Sequence, residues 1–591
     1  MPGHTPSSAP GIKGAVPALV LGLILAFAVV LAYWQAPLNG FHFDDEANIV
    51  DRAAIHLTEL SLAGLWRAAR EGLLPSRPLS NVSLAIDWWR GGGSAATFIR
   101  SNIVLHLLMA LAVWSCVRRL LLLQGQPRAP ALGLAWGAAL LWALHPIQVQ
   151  AVTYVVQRMA ELSALFSLLS VLAYVRGRTE RRLAWLVLSL VTFLLSVAAK
   201  ENGWITPALW WLAEFGCCRG QASKLLEHPA SRLLFALPFL LLLYVVVDIA
   251  SGQGPLAQSG MLSYRGRDFT MAERLLTQPR VIVFHLSQML WPLPDRFSVE
   301  HDFLKSTGLF SPATTLAALL GLLAWCGTGL VALLHQRWRL AGFWLLWVPV
   351  TLVVESSVVP LEMVFEHRMY LPSVGLFGLA ATLPTVWLPG TGHRKVALPL
   401  VLLVAIGLIL ATRERVEVWR DNASLYADAV RHAPNSGRAW NGLGAAQLQA
   451  GDIEAAERSL TRAMALDPTL SAPPEKLGVI VLDRGERQKA GELLWRAVRL
   501  ERSHSALNHL GEWMLQGDDV DGAVRAFSQA VVLAPWLPAY RWNLALALER
   551  QGNCAEAREQ WQAYLERETD PAGLEEVRRH LEETGASSHC N

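Results

Sequence analysis

The chain has 591 residues, of which 53% are hydrophobic and only 17% charged, with a formal net charge of +3. Ordinary soluble domains carry about 25% charged residues, so a chain this apolar is neither disordered nor built around one water-soluble core. Near-balanced charge leaves no nucleic-acid footprint, and what remains is a membrane protein.

Apolar segments begin at residues 15–34 and recur at 102–123, 131–144, 159–175, 183–199 and 204–215. They continue at 233–249, 281–293, 313–334, 343–359, 371–388 and 396–411. A helical span takes about 20 residues at a rise of ~1.5 Å, so most of these qualify and two are short. The first is long and lacks the small-residue cleavage site of a signal peptide, and reads as an uncleaved span. Segment 281–293 is short and carries Pro292, with Pro294 just beyond, and reads as a re-entrant or half-helix. With it set aside, Arg118, Arg119 and Arg128, the arginines of 176–182, Arg219, Lys224 and Arg232, Arg337 and Arg339, and Arg394 and Lys395 share one side. By the positive-inside rule that side is cytoplasmic, with about 11 crossings and an outside carboxyl terminus. Nearly all basic residues are Arg, which points to a GC-rich bacterial genome and so to an inner membrane.

The outer loops then hold unusual chemistry. The first contains Phe41 to Glu46, read as Phe-His-Phe-Asp-Asp-Glu; another runs from His145-Pro146 to Arg158 and Glu161. Lys200-Glu201-Asn202 interrupts two apolar runs, and Glu366-His367-Arg368-Met369-Tyr370 separates two more. A charge at bilayer depth costs roughly 2.5–3.5 kcal/mol, so ionisable groups packed among spans are candidates for function. Asp44 or Asp45, partly withdrawn from water, suits a general base that accepts a hydroxyl proton. With Glu46 and His42 beside them a divalent cation site is equally drawable, while a solvated loop is the plain alternative. Arg77, Arg158, Lys200 and Arg368 suit a lipid-linked phosphate, although any one of them can snorkel to the interface instead. Glu161, Glu201 and Glu366 can neutralise these bases in buried pairs, and His106 and His145 can be hydrogen-bonded packing residues.

The six cysteines form no CxxC pair. Cys116, Cys217, Cys218 and Cys326 lie in or beside apolar runs and read as small buried thiols; Cys554 and Cys590 can pair in an oxidising compartment.

From about Trp419 the pattern becomes helical with a fixed period. Gly444, Gly478, Gly511 and Ala545 stand 34, 33 and 34 residues apart. A second small residue follows at Ala456, Ala490, Ala523 and Ala557, and a bulky apolar one at Leu460, Leu494, Phe527 and Trp561. This period is that of tetratricopeptide (TPR) repeats, in which small residues let paired helices touch. The spacing predicts about four stacked units forming an α-solenoid, led by a lone helix over 421–434. The chain therefore divides into a membrane domain, 1–412, and a TPR domain, 413–591, whose groove suits a protein or peptide partner.

Taken in order, Phe43-Asp44-Asp45, Arg77-Pro78-Leu79, Asn102 to His106, His145-Pro146, Ala151-Val152, Arg158, Lys200-Glu201, Glu366 to Pro372 and Trp419-Arg420-Asp421 resemble the transmembrane-and-TPR-containing O-mannosyltransferase family. The resemblance implies an all-α, polytopic glycosyltransferase fold of the C type (GT-C), with its active site in the periplasm or lumen and the repeats on that side. It implies a polyprenyl-phosphate sugar donor and a protein hydroxyl acceptor. It also implies a base or metal-associated role for Asp44 or Asp45 and matches Arg158, Lys200 and Arg368 to donor phosphate and site structure; Arg77 is expected on the donor phosphate by residue type, with Glu46, His106, His145, Glu201, Glu366, His367 and Tyr370 in supporting places. Glu366-His367-Arg368 departs from the family's acid-Arg order, so mannose itself is not carried over. Two rival readings stand beside it: an envelope-glycan ligase or polymerase using a diphosphate-linked donor, and a non-enzymatic scaffold whose spans anchor the repeats.

Overall fold

The computed structural model describes residues 12–218, 267–387, 394–566 and 571–586, with scattered positions between 236 and 264. The described residues are helical throughout; the only β feature among them is an isolated bridge between Gly308 and Ser311. Two compact units result. One gathers Met1–Val50, Ala54–Val299 and Phe303–Asp421, the other Asp51–Ala53, Glu300–Asp302 and Asn422–Asn591.

The first unit opens with α1 (Ile12–Ala32), α2 (Leu62–Glu71), α3 (Pro78–Gly91), α4 (Ala95–Leu123) and α5 (Arg128–Ala143). The short α6 (Val149–Thr153) leads to α7 (Arg158–Glu180), α8 (Leu183–Ala199) and α9 (Thr206–Cys217). Further along the chain come α10 (Met271–Leu290), α11 (Thr314–Leu334), α12 (Arg339–Leu352), α13 (Ser373–Trp387) and α14 (Arg394–Val418). Among the described residues, four stretches are long and apolar enough to cross a bilayer: Val16–Leu38, Ala95–Leu123, Val155–Glu180 and Thr314–Leu334. Arg128–Ala143 with Pro146–Thr153 makes a fifth, bent by 55°. Helices α8, α12 and α13 are apolar but shorter.

These are fewer uninterrupted spans than the apolar runs predict, for identifiable reasons. The run 343–359 is helical only to Leu352, after which Glu355 leaves the helix to pair with Lys200. The run 204–215 becomes the 12-residue α9, too short to cross alone. Segment 281–293 is not an isolated half-helix: it is the second half of the 20-residue α10, begun by a capping box between Thr270 and Glu273. The run 233–249 falls outside the continuously described residues. Helix α14 passes through 412 unbroken to Val418, so the boundary between units lies after Asp421 rather than at 412.

The exterior fits a lipid solvent. Leu19, Leu23 and Phe27 on α1, Leu320 and Leu323 on α11, and Leu403 and Leu410 on α14 are all exposed, a cost in water that disappears in hydrocarbon. Inside, small hydroxyls bring α7, α8 and α9 together: Ser167 Oγ lies 2.8 Å from both Ser196 Oγ and Thr206 Oγ1. Close backbone approach with interhelical hydroxyl bonds is how helices associate where apolar burial gives no drive.

The second unit starts with α15 (Asn422–His432). Four helix pairs follow: α16 (Gly437–Gln449) with α17 (Ile453–Leu466), α18 (Ala472–Asp483) with α19 (Arg487–Leu500), α20 (His504–Leu515) with α21 (Val520–Leu533), and α22 (Pro538–Gln551) with α23 (Cys554–Leu565). A further helix, α24 (Pro571–Ala586), follows them. The repeat periodicity has a direct steric cause. A Cβ on Gly444 would lie 2.7 Å from Leu460, on Gly478 2.8 Å from Leu494, and on Gly511 2.7 Å from Phe527. The small residue of the first helix and the bulky residue of the second are thus one packing pair in each repeat.

Cys116 and Cys218 are buried, Cys217 and Cys326 half-buried, and all four are free thiols. Cys554 is disulfide-bonded; Cys590 lies outside the described residues.

Candidate functional site

The acidic loop after α1 is a worked piece of structure. Gly40 N–H donates to Arg420 O at 3.1 Å, and His42 Nε2 lies 2.7 Å from Trp419 O, so the loop is tied to the end of α14. Phe43 adopts φ 50, the left-handed region that costs a non-glycine residue on the order of 1 kcal/mol or more. Its ring packs edge-on against Tyr154 and Trp419, at 5.6 and 6.3 Å between centroids. The turn sends the two carboxylates opposite ways. Asp45 is buried, Oδ1 accepting from Val156 N–H at 2.7 Å and Oδ2 from His42 N–H at 3.0 Å. Burial pushes its carboxyl up to about 7 against the pull of those two donors. Asp44 is exposed, with its main-chain N–H on the Tyr154 hydroxyl at 3.0 Å. Glu46 is exposed as well. The cation site drawn from Asp44, Asp45 and Glu46 is therefore not formed: Asp45 faces inward, and among the described residues no three His, Cys, Asp or Glu side chains gather around one point.

Arg158, at the start of α7, is fully buried and fully occupied. Its guanidinium meets Asp87 Oδ2 at 2.6 Å, Asn102 Oδ1 at 2.7 Å, Phe98 O at 2.7 Å and Ser83 O at 3.0 Å. It clamps α3 and α4 to α7, and all of these contacts are internal. Arg77 is also paired, chelating Glu201 at 2.8–3.1 Å. Burial opposes the Glu201 charge, but Arg77 outweighs it and holds the carboxyl below its usual range. His145 uses both ring nitrogens, on Ile147 N–H and Met289 O, each at 3.2 Å. His106 does the same, with Ala143 O and the Tyr370 hydroxyl, each at 2.9 Å. Tyr370 also stands 3.4 Å from Glu161 Oε1. Glu366 accepts from Ser298 N–H at 2.8 Å. These are packing and bracing roles inside the bundle.

A cavity of about 380 Å³, open mouth included and with mixed polar and apolar walls, lies between the start of α7, the 202–205 turn, the end of α12 and the 367–372 turn. Its walls include Ser163, Asn202, Glu355, His367, Arg368 and Tyr370. Lys200 Nζ lies 3.2 Å from Glu355 Oε1, which also accepts from Asn202 Nδ2. Burial disfavours the Glu355 charge, yet Lys200 and Arg368 outweigh it and hold the carboxyl below its ordinary range. Arg368 donates to the carbonyls of Glu362 and Met363, and Arg274 to those of Ser357, Leu361, Glu362 and Glu355. Both guanidinium groups are buried on main-chain carbonyls, not on carboxylates. Lys200, Arg274 and Arg368 thus gather around the buried carboxylate Glu355, with Glu362 as a second carboxylate acting on Arg368, so that cations outnumber carboxylates beside the cavity. A buried charge without a counter-charge is costly, which makes the cavity receptive to an anion. His367 donates its main-chain N–H to Gln150 Oε1 at 2.8 Å and places Nδ1 3.2 Å from the same oxygen. Burial pushes its imidazole well below the ordinary range, and the charges of Lys200, Arg368 and His285 add to that.

Of the residues singled out from sequence, Arg368, His367 and Tyr370 line this cavity and Lys200 reaches its wall. Asp44 and Asp45 are not among the lining residues. The two places are joined by one short segment, since Gln150 carries His367 and Tyr154 carries Asp44. Sequence reasoning passed over Glu355, Arg274, Gln150 and Asp87. Glu355 had a signal, a lone acid inside an apolar run; Arg274 and Gln150 look like ordinary polar residues until the fold brings their partners from elsewhere in the chain.

No family model matches the chain. Among curated proteins it is similar to human Protein O-mannosyl-transferase TMTC3, 23% identical over 490 residues, covering 76% of this chain and 51% of that protein. A Caenorhabditis elegans relative, Protein O-mannosyl-transferase F38B6.6, is 23% identical over 468 residues, covering 76% of this chain and 63% of that one. Human Protein O-mannosyl-transferase TMTC4 is 30% identical over 210 residues, 31% of this chain and 27% of that protein. The chain thus spans about half the length of the first of these relatives. Among solved structures, a crystal structure of MamA protein is 25% identical over 24% of this chain and 80% of that one, with a TM-score of 0.22. The repeat assignment rests on the helix pairs themselves.

Proposed function

We propose that this chain, a sequence relative of the protein O-mannosyl-transferases, is an integral-membrane glycosyltransferase that moves a hexose from a polyprenyl-phosphate donor to a protein hydroxyl. One observation carries the reading: three cations, Lys200, Arg274 and Arg368, gather at the cavity around Glu355, with Glu362 as the second carboxylate acting on Arg368. A phosphate there completes the charge balance of a buried site. Lys200 and Arg368 would meet the donor phosphate and stabilise the charge that grows on it as the sugar leaves. Arg77 and Arg158 support this donor side by holding Glu201 and the α3–α4–α7 frame.

Asp44, exposed where Asp45 is enclosed, is the carboxylate able to take the proton of a Ser or Thr hydroxyl. Asp45 positions it through the loop. The TPR unit would bind the acceptor, as repeat solenoids present extended concave surfaces to partners. The relatives' names make mannose the first hexose to try. In this reading the acidic loop and the repeats meet the same periplasmic compartment of a bacterial inner membrane.

Transfer from radiolabelled polyprenyl-phosphate mannose to protein, with the full chain in proteoliposomes, tests it. Asp44→Asn is expected to lower kcat by about 10²–10⁴-fold, the usual worth of a general base, and Lys200→Gln to raise the donor KM. Unchanged turnover in Asp44→Asn would remove the base from the scheme. Preference for a diphosphate-linked oligosaccharide would replace the transferase reading with the ligase one.

A further inference from the structure

His367 is the cavity residue whose hydrogen bonding places a proton on a particular ring nitrogen. Gln150 Oε1 lies 2.8 Å from the His367 main-chain N–H, which can only donate, so the atom there must be the amide oxygen and not its nitrogen. The same oxygen lies 3.2 Å from His367 Nδ1. An oxygen of this kind can only accept, so Nδ1 carries a proton; burial and the nearby charges of Lys200, Arg368 and His285 disfavour a second one, which leaves the lone pair on Nε2. No hydrogen bond to Nε2 is formed by the described residues. The ring lies in the cavity wall beside Arg368 and Tyr370. On the same wall Glu355 is taken up by Lys200 and Asn202, and the Tyr370 hydroxyl by His106 and Glu161.

We propose that His367 is the hydroxyl-reading residue of the donor site: an uncharged imidazole, held by Gln150 as the Nδ1–H tautomer, whose Nε2 accepts a hydrogen bond from a hydroxyl of the sugar on the bound lipid phosphate. The assignment rests on the donor-site reading of the cavity. The division of labour is then chemical. Lys200 and Arg368 recognise the phosphate whether or not a sugar is attached, whereas an acceptor-only nitrogen recognises the hydroxylated ring. A second proton on the imidazole would abolish the acceptor and add a cation beside Lys200, Arg368 and His285, whose charges already disfavour it, with Glu355 and Glu362 the carboxylates nearby. A site with a buried acceptor discriminates against ligands that cannot donate to it, because the acceptor is then left unpaired.

The test is binding of two probes to the full chain in nanodiscs: a short-chain polyprenyl-phosphate mannose, and the same polyprenyl phosphate without its sugar. His367→Leu is expected to weaken the mannosyl lipid about tenfold and to leave the bare lipid within about twofold. His367→Asn, which keeps an acceptor, is expected to recover part of the loss. Lys200→Gln is expected to weaken both lipids. Equal weakening of both probes by His367→Leu, or of neither, overturns the hydroxyl-reading role while the donor site stands. Failure of the wild type to bind either probe overturns the donor site itself. A second readout does not depend on binding. In [¹⁵N]histidine-labelled protein the signal lost in His367→Leu is expected to show an unprotonated Nε2, and Gln150→Leu to shift it toward a tautomer mixture. A protonated Nε2 in the wild type overturns the proposal.

Discussion

Burial disfavours the Asp45 charge and pushes its carboxyl up, while His42 and Val156 N–H groups limit the rise to about 7. Its folded value lies above the ordinary value of 3.8, so the folded state binds the proton more tightly. The associated stability is fully present below about pH 4 and is lost as pH climbs to about 7, on the order of 4 kcal/mol in all. Relative to Asp45→Asn, the wild type should therefore lose stability across that window and run parallel above it, as thermal denaturation in detergent at a series of pH values would record. A flat difference from pH 4 to 7 would mean that Asp45 stays ionised in the fold. Arg158 gives a second residue-level prediction. Removing one member of its buried pair leaves the other charge unpartnered, so Arg158→Met or Asp87→Leu alone should cost about 3–5 kcal/mol. The double variant should recover much of that loss. Additive losses in the double-mutant cycle would show that the pair is not coupled.

At the scale of elements, the repeats explain one another. Asp452, Asp519 and Asn553 cap α17, α21 and α23, each accepting from the N–H three residues on. Glu486 holds the same position before α19, with φ −79 and ψ 60 against −82 and 70 at Asp519, but its longer side chain makes no capping bond. The backbone is already in place, so Glu486→Asp should stabilise the second repeat by about 0.5–1 kcal/mol. Its exposed pairing with Lys489 at 3.4 Å is worth little and will not offset that gain. Limited proteolysis or chemical denaturation would report the change, and no gain would mean that water caps α19 equally well. In the membrane unit, polar residues set where helices stop. Helix α12 ends at Leu352 and the chain turns away, so that Glu355 meets Lys200 and the carbonyls of 355–362 meet Arg274.

At the scale of the whole molecule, the apolar exterior of α1, α8, α11 and α14 requires a lipid or detergent surround. The proposed chemistry adds a requirement of sidedness: the loop bearing Asp44 and the carboxyl-terminal repeats must face one compartment. An alkaline phosphatase fused after Asn591 should be active in a bacterial host, and a cysteine placed at Glu46 should react with an impermeant maleimide from the same side. A cytosolic carboxyl terminus would break the scheme, since the repeats could not then present an acceptor to the acidic loop.

The amino-acid sequence by itself determined the helical class, the lipid-facing composition and the repeat unit, because each is written in local periodicity. A Gly–Leu pair recurring every 33 or 34 residues has one packing solution, seen at Gly444–Leu460 and Gly478–Leu494. It also marked the ordered motifs, and the structure brings several together: Asp44 on Tyr154, His42 on Trp419, Arg158 on Asn102. Only the tertiary structure decided which charges are spent and which are not. Arg158 and Lys200 look alike as cations among apolar runs, yet one is enclosed by Asp87, Asn102 and two carbonyls while the other stands in a wall with surplus positive charge. Asp44 and Asp45 are neighbours in the chain, and a left-handed Phe43 turns one outward and one in. Availability of a charged group depends on partners drawn from distant segments, and no local pattern encodes them.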